Sequence, residues 1–533
     1  MFFNSNKKIR KKLRESFGVV PTLYEKERVM ERMNCIEIYH KEICERYQSG
    51  DIDEITWNDL EMDKVFLRIN HTNSFIGEQI LYHQMHNTDI DQTQWKNFEH
   101  QISFYKSNPQ KRSIIEEKLY FIGKAKQDYY LPFFLMHSEL WSIQIGHFLH
   151  FLQLLLLVFL TGSLFTKHML FISGLIIVAC TNLVIYIIIK QRYETFMNSL
   201  GSLKQLLIFC QMVTKKEYRA ELAVPEDIVL ITEELKGLSK QIIGWQGRKY
   251  AALTGDFMYL LQDYLFGIAL LDISMFNHIM KTIDGKQEQI MKLYEFAGQI
   301  DMGISVASFR ESLSYYCQPH IWDKNEFNIK ELIHPLVHDA VANDFELKQR
   351  ALITGANASG KSTFMKALAI NTILAQTIHT CTAGGFSMPV VSIMTSMSLR
   401  DDVITGESYY IREAKRIRQM VDPNGYNRPS LIVIDEILKG TNTLERLAAS
   451  SAILEYFTRT PHYIVVATHD MELVNDMQSK YDNFYFESRV TDEDIVFEYH
   501  IHKGKGGNSN AIALLSLLKY PQEVITMAKQ KVG

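Results

Sequence analysis

Residues 352–363 of the 533-residue chain read LITGANASGKST, with the spacing Gly355-x4-Gly360-Lys361-Ser362. A strand that runs into a glycine-rich turn lets consecutive backbone N–H groups point at phosphate oxygens, and the following helix adds its positive end. The Lys361 ammonium is then expected to reach the β- and γ-phosphates of ATP, and the Ser362 hydroxyl to bind Mg²⁺. The residues predicted to bind the nucleotide are Gly355, Asn357, Ser359, Gly360, Lys361, Ser362 and Thr363.

Two further strand-like runs end in polar residues that suit the same chemistry. SLIVIDE (430–436) has four apolar residues before Asp435 and Glu436, and YIVVATHD (463–470) carries His469 near its end. A carboxylate at the carboxyl end of a strand beside the phosphate loop is well placed for Mg²⁺, which predicts that role for Asp435. Glu436 is predicted to polarise the attacking water, and His469 to sense the γ-phosphate. Together these runs predict a Mg²⁺-dependent ATPase.

The elements that must hold these residues change along the chain. From about residue 345, short β-branched runs alternate with helical stretches, which predicts an α/β P-loop domain with a mostly parallel sheet. Residues 20–145 and 193–325 have few Gly or Pro and many charges in helical patterns. They predict an all-α domain, in which residues 56–70 have one apolar helical face.

A family resemblance rests on four blocks in a fixed order. In content and spacing they resemble the ATPase domain of the MutS family: GANASGKSTFMKALAI (355–370), DDVITGESYYIREAKRI (401–417), VIDEILKGTNT (433–443) and ATHD (467–470). The LSGGQ run that ABC transporters carry is not in the sequence. The resemblance implies a MutS-type domain over residues 330–533 that binds and hydrolyses ATP.

Several roles follow only from this resemblance. Members of the family pair two ATPase domains, and each nucleotide site is completed by the partner, so a homodimer through these domains is expected. Ser408 matches the serine that reaches the γ-phosphate of the partner's nucleotide, and Asn343 matches a position near the adenine. Glu436 matches the hydrolytic glutamate, and His469 the switch histidine.

The helical part resembles the family more weakly. Residues 57–85 look like the start of the core or lever domain, and residues 296–321 like its return to the ATPase. Because the lever-like segment is reached by residue 57, we expect a short variant without the mismatch-reading and connector domains. Between the two lever halves, where relatives carry a DNA clamp, this sequence has an apolar pair of segments.

That apolar pair predicts a membrane anchor. Residues 148–165 and 169–189 contain no Lys, Arg, Asp or Glu, and three residues separate them. At about 1.5 Å per residue, the second segment covers roughly 31 Å, the hydrocarbon thickness of a bilayer. We therefore predict a transmembrane helical hairpin over 146–192 with both flanks in the cytoplasm. The alternative is a buried hairpin in the core of a large helical domain.

Composition narrows the class of protein. The formal net charge of −4 shows no basic excess of the kind typical of nucleic-acid binders. The six cysteines are scattered without a CxxC pair, which argues against a disulfide framework and fits a reducing compartment. Six of residues 7–14 are Lys or Arg, with no apolar run after them, so we do not expect this segment to be a secretory signal. The basic arm could contact a membrane surface, a nucleic acid or only water.

The predicted domain order combines these parts. It is a basic arm and helix (1–50), the first half of the helical core (51–145), the hairpin (146–192), the second half (193–329) and the ATPase domain (330–533). We expect an ATPase in the cytoplasmic membrane whose dimer opens and closes around a cargo such as DNA, in repair or recombination. One alternative is a membrane scaffold or transport-associated ATPase that binds no nucleic acid. Another is a soluble mismatch-repair protein with a core hairpin.

Overall fold

Two compact units make up the chain. The first comprises Met1–Gln48, Asn70–His83 and Gln92–Ser308, and the second comprises Ser49–Ile69, Gln84–Asp91 and Phe309–Gly533. The computed structural model describes these residues: 2–47, 52–89, 92–137, 146–242, 265–321, 325–356, 358–397, 409–422, 428–439, 442–490, 495–506 and 520–532. The predicted domain boundaries remain predictions.

Helices build the first unit, as the sequence predicts. Their bounds are Phe2–Ser16, Leu23–Met30, Met33–Tyr47, Phe75–His86, Gln92–Ser107, Pro109–Ile122, Leu131–Met136, Gly146–Thr166, Met169–Val213, Lys216–Arg219, Glu226–Glu234, Leu271–Ile283 and Gln287–Glu311, with a 3₁₀ helix at Lys126–Tyr130. Large aromatic side chains fill the core, and Phe75, Tyr129 and Tyr294 are fully buried. Their rings lie within 6.0 Å of each other in two pairs that share Phe75.

A buried ion cluster joins three segments of this unit. Glu78 is fully buried, and its Oε1 accepts hydrogen bonds of 2.7 Å from Arg32 Nη2 and of 2.7 Å from Lys124 Nζ. Tyr129 donates its hydroxyl to the same carboxylate. Burial alone would raise the pKa of Glu78, but the two cations outweigh it and hold the pKa at about 2. The carboxylate is therefore ionised and anchors its neighbours.

The hairpin of apolar helices pairs Gly146–Thr166 with the first half of the 45-residue helix Met169–Val213. Both arms are long and apolar enough to span a bilayer, the spans being Gly146–Thr166 and Met169–Gln191. Within the apolar 18-residue stretch of each arm, only 11% is buried in the first arm and 22% in the second. The arms pack closely because Gly162 lies against Phe171, and Gly174 against Phe159.

The second unit contains two β-sheets. The strands are β1 (His320–Ile321), β2 (Phe327–Leu332), β3 (Asn343–Leu347), β4 (Arg350–Thr354), β5 (Gly385–Met388), β6 (Ser392–Ser396), β7 (Ser430–Asp435), β8 (Tyr463–Ala467), β9 (Asp482–Val490) and β10 (Ile495–Lys503). The larger sheet has the order β10-β9-β4-β8-β7-β6, and the smaller one β1-β5-β2-β3. The helices of the second unit are Glu54–Asp59, Met62–Ile69, Lys361–Thr377, Tyr409–Val421, Thr443–Phe457, Met471–Asp476 and Gln522–Val532.

The expectation of a mostly parallel sheet is met in part, because both sheets are mixed. In the larger sheet β9, β4, β8, β7 and β6 are parallel neighbours, whereas β10 runs antiparallel at the edge. In the smaller sheet β2 pairs antiparallel with both β3 and β5. Side chains of β3, and those of β2 before its register shift, alternate between buried and exposed, as in antiparallel sheets with one solvent-exposed face. The continuously apolar runs of β7 and β8 favour the parallel pairing that these two strands show.

The segment predicted as one amphipathic helix over 56–70 is two helices. Glu54–Asp59 ends before Met62–Ile69 begins, and Glu61 between them has a left-handed φ of 54°. The first of these helices packs against β6, the edge strand of the larger sheet: Asp59 Oδ2 accepts hydrogen bonds of 2.8 Å from Thr395 Oγ1 and of 2.8 Å from Met397 N. Contact with the sheet explains why this N-terminal piece belongs to the second unit.

Candidate nucleotide site

The phosphate loop connects β4 to the helix Lys361–Thr377, which we call the P-loop helix. Gly355 and Gly360 have φ values of 149° and 107°, a region that side chains with a Cβ rarely adopt. A Cβ on Gly360 would lie 3.1 Å from Cδ1 of Tyr499, so the loop also needs glycine for space. The predicted strand, turn and helix are thus all present.

The side chain of Lys361 contacts the loop backbone, and that of Ser362 contacts the end of β7. Lys361 Nζ donates to the carbonyl oxygens of Gly355 at 2.7 Å and Ala356 at 3.0 Å. Burial lowers the pKa of Lys361, and the nearby carboxylates of Asp435 and Glu436 oppose that shift. Ser362 Oγ donates to Asp435 Oδ2 at 2.6 Å, at the carboxyl end of β7. The structure therefore brings together the hydroxyl and the carboxylate predicted to hold Mg²⁺.

Glu436 and His469 meet at the ends of neighbouring strands. Glu436 Oε1 lies 3.0 Å from His469 Nδ1, and Lys439 Nζ lies 3.7 Å from Glu436 Oε2. Glu436 has a left-handed φ of 66°, and its N–H donates to Ala467 O on β8 at 3.0 Å. Such backbone strain is common at functional sites. A carboxylate held in this way, 20% exposed, has the orientation and access that a general base needs.

Asn343 has a structural task that the sequence did not reveal. Its Nδ2 donates to Tyr499 O at 3.0 Å, and its Oδ1 accepts from Ile501 N at 2.8 Å. These bonds lie where the register of β10 shifts between Phe497 and Ile501, and Tyr499 there has a φ of 56°. Asn343 thus fixes the irregular part of β10 that carries the Tyr499 ring to Gly360. The local sequence around Asn343 or Tyr499 does not predict this contact.

The C-terminal part of the chain matches the family model of MutS domain V over residues 351–533. This part belongs to the MutS family. The DNA mismatch repair protein MutS of Fusobacterium nucleatum is 29% identical over 277 residues, which are 49% of this chain and 30% of that protein. Those of Listeria innocua and Staphylococcus carnosus are each 28% identical over 49% of this chain and 31% of their own length. The chain thus spans less than a third of the curated relatives it matches.

Glu413 is a residue of the MutS-type domain that sequence reasoning missed. It is buried on the helix Tyr409–Val421, and its Oε1 accepts a 2.7 Å hydrogen bond from Leu438 N, two residues after Glu436. Burial raises the pKa of Glu413. Leu438 has a left-handed φ of 57°, so this bond fixes a strained turn. The available signal was an acid at position 413 in line with the buried Ile417 and Met420.

The remaining predicted residues of the MutS-type site have varied surroundings. Ser359 is fully buried, and its Oγ is a buried polar atom without a hydrogen-bond partner. Thr363 is exposed in the first turn of the P-loop helix. Asn357 and Ser408 lie outside the described residues. Away from the loop, the ligand atoms of Glu487, Glu498 and His502 lie within 4.8 Å of one another, a spacing compatible with a metal ion.

Proposed function

We propose that the chain is a Mg²⁺-dependent, MutS-type ATPase that is anchored in the cytoplasmic membrane and clamps DNA through nucleotide-dependent opening and closing of a homodimer. The observation that carries the ATPase is the hydrogen bond between Ser362 and Asp435, with Lys361 and Glu436 beside it. The curated relatives are named DNA mismatch repair proteins, which supports DNA as the cargo. Membrane, dimer and cargo are separate parts of the proposal.

In this proposal, different residues bind the phosphates, hold Mg²⁺ and accept the proton from water. Backbone N–H groups of the loop and the start of the P-loop helix bind phosphate oxygens, and Lys361 exchanges its carbonyl partners for them. The Ser362 and Asp435 oxygens hold Mg²⁺, which when bound neutralises charge on the phosphates. Glu436 accepts a proton from the attacking water, and His469 fixes the carboxylate's orientation. Ser359 Oγ supplies a donor inside the loop, which accounts for a buried hydroxyl without a partner.

Exposure of the hairpin supports the membrane anchor. Leu157 and Phe165 on the first arm are 56% and 88% exposed, and Ile177 on the second is 65% exposed. A soluble core hairpin would bury such side chains, since each one buried gains about 1.5–3 kcal/mol. In a bilayer, lipid hydrocarbon covers the same apolar side chains, and both helices keep their backbone hydrogen bonds. The positive-inside rule then puts the flanks in the cytoplasm.

The position of the basic helix favours nucleic acid over lipid as its partner. The helix Met169–Val213 continues 22 residues beyond the predicted span, about 33 Å at 1.5 Å per residue. Arg10 of the basic helix Phe2–Ser16 lies near Tyr218, just past the far end of that long helix. Headgroup charge is screened within about 8 Å at physiological ionic strength, so a long helix that stands along the membrane normal would keep the basic helix beyond the reach of the headgroups. Lys8, Lys11 and Lys12 on it are exposed and suit a phosphate backbone.

One experiment separates the parts of this proposal. The ATPase rate of the purified chain is measured in detergent and in lipid, with single-stranded, duplex and branched DNA and without DNA. Stimulation by at least one DNA supports a DNA clamp, and loss of the stimulation in a Glu436→Gln variant shows that this chain is the source. A rate that no DNA changes in either medium would favour the alternative, a membrane scaffold or transport-associated ATPase, for which the exposed hairpin is the supporting observation.

A further inference from the structure

Two free cysteines face each other in the second unit. Cys317 and Cys381 form an isolated antiparallel bridge, in which Cys317 N donates to Cys381 O at 3.0 Å and Cys381 N donates to Cys317 O at 2.9 Å. The Cα atoms of such a hydrogen-bonded pair are about 5.5 Å apart, within the range of about 4.4–6.8 Å found in disulfides. Directly paired residues project to the same side, and the two thiols are within hydrogen-bonding reach.

The two thiols have different surroundings. Cys381 is fully buried, with its Sγ 3.6 Å from Asn371 O on the P-loop helix, whereas Cys317 is half-buried. A hydrogen bond from the Cys381 thiol lowers the pKa of Cys317, and burial raises the pKa of Cys381. The thiolate, which is the reactive form, is therefore favoured on the cysteine that reagents reach, and its partner stays protonated.

We propose that Cys317 and Cys381 are a site of reversible disulfide formation, with a peroxide as the oxidant. The Cys317 thiolate attacks one peroxide oxygen, the O–O bond breaks, and hydroxide leaves, which converts the sulfur to a sulfenic acid. The Cys381 sulfur then attacks the Cys317 sulfur, the S–S bond forms, and the hydroxyl departs as water with the thiol proton. Two cysteines lose two electrons, and the peroxide is reduced to water. A small dithiol reverses the link by thiol–disulfide exchange.

The surrounding contacts already hold the two cysteine-bearing segments together. Arg310 is buried, and it donates from Nε to Thr380 Oγ1 at 2.9 Å and from Nη2 to His379 O at 2.8 Å. The segment before β1 is thus already held against the segment after the P-loop helix. The disulfide would close a loop from 317 to 381 that contains the phosphate loop, and a cross-link of this kind restricts the unfolded chain. Asn371 lies about 15 Å along the helix from Lys361, so the link leaves the nucleotide residues free.

The test is oxidation of the full chain in detergent with hydrogen peroxide, followed by non-reducing digestion and mass spectrometry. We expect a peptide pair linked through Cys317 and Cys381 to appear before the other cysteines react. The oxidised protein should unfold at a temperature several degrees higher, and dithiothreitol should reverse both changes. Thiol loss without this linked pair, or with Cys317 only in links between chains, overturns the proposal.

Matched variants exclude indirect effects. Cys317→Ser removes the half-buried thiol and should abolish both the linked pair and the thermal shift. Cys35→Ser, on the helix Met33–Tyr47 of the first unit, should leave both unchanged. If Cys317→Ser does not fold, peptide mapping of the native chain decides alone. Retention of the thermal shift in a folded Cys317→Ser variant counts against the site.

Discussion

At the scale of single residues, Glu436 carries the sharpest prediction. Exchange of this carboxylate for an amide in Glu436→Gln keeps the side chain's size and its reach to His469 but removes the proton acceptor. We expect ATP binding to persist while turnover falls by about 10²–10⁴-fold, the usual contribution of a general base. Filter binding and single-turnover hydrolysis measure the two quantities. Glu445→Gln, an exposed acid on the next helix, is the control; normal turnover in Glu436→Gln would remove Glu436 from the mechanism.

Glu413 gives a second prediction at this scale. Glu413→Leu removes the acceptor of the Leu438 N–H, so the strained turn after Glu436 loses its hydrogen bond. We expect ATPase activity to fall more than nucleotide binding, because only the residues after β7 move. Glu413→Gln keeps an acceptor oxygen at this position and should retain most of the activity. Equal loss in both variants would mean that the charge of Glu413, not its hydrogen bond, matters. Steady-state ATPase assays with nucleotide binding distinguish these results.

The predictability of the site from sequence depends on how far apart its parts lie along the chain. The phosphate loop, the strand before it and Asp435-Glu436 follow local patterns of glycine spacing and apolar runs, and they were predicted. The Asn343 contact spans 158 positions, to Ile501. Glu413 and Leu438 are 25 positions apart. Contacts of this kind depend on which strands become neighbours, and no local pattern records that.

At the scale of elements, the distance between contacting residues along the chain also explains which helix boundaries the sequence predicts. Helical character in the first unit follows from periodicity, which is local. The break at Glu61 does not, because the helix Glu54–Asp59 is held by β6, and Asp59 meets Thr395 across 336 positions. Arg416 strengthens this contact by donating to Thr56 Oγ1 at 2.8 Å. A tertiary contact overrode the apolar pattern that favours one helix.

The ion cluster around Glu78 predicts how the helical unit responds to acid. The folded-state pKa of about 2 is below the ordinary value near 4.3, so the cluster's stabilisation is present above pH ~4.3 and is lost as the pH falls towards 2. Glu78→Gln leaves Arg32 and Lys124 without their anion and should cost about 3–5 kcal/mol at pH 7. Thermal unfolding from pH 7 to pH 3 should show the gap between variant and native protein shrinking. The exposed Glu27→Gln should match the native protein throughout; a gap independent of pH would contradict an ionised Glu78.

At the scale of the whole molecule, charged variants of the hairpin test the proposed membrane anchor. Lysine at the centre of a membrane helix costs about 2.5–3.5 kcal/mol on insertion scales. The pair Leu157→Lys and Ile177→Lys puts one charge in each arm, so we expect the protein to leave the membrane pellet after an alkaline carbonate wash. Leu230→Lys, which replaces an exposed apolar residue of similar size outside the hairpin, should stay pelleted. Firm retention of the doubly charged variant would mean that the hairpin is not the anchor.

Variants of the basic helix Phe2–Ser16 test whether this helix binds a polyanion. Lys8→Gln with Lys12→Gln removes two exposed charges four residues apart, on one face of the helix Phe2–Ser16. If both contact duplex phosphates, DNA affinity should fall, and the slope of log affinity against log salt should become shallower by about 1.8. Lys236→Gln with Lys240→Gln removes the same charge elsewhere in the unit and should change neither quantity. Equal effects of the two pairs would indicate that only net charge attracts DNA. A loss of binding to anionic vesicles confined to the Lys8 and Lys12 pair would assign the helix to lipid, against the distance of about 33 Å along the long helix.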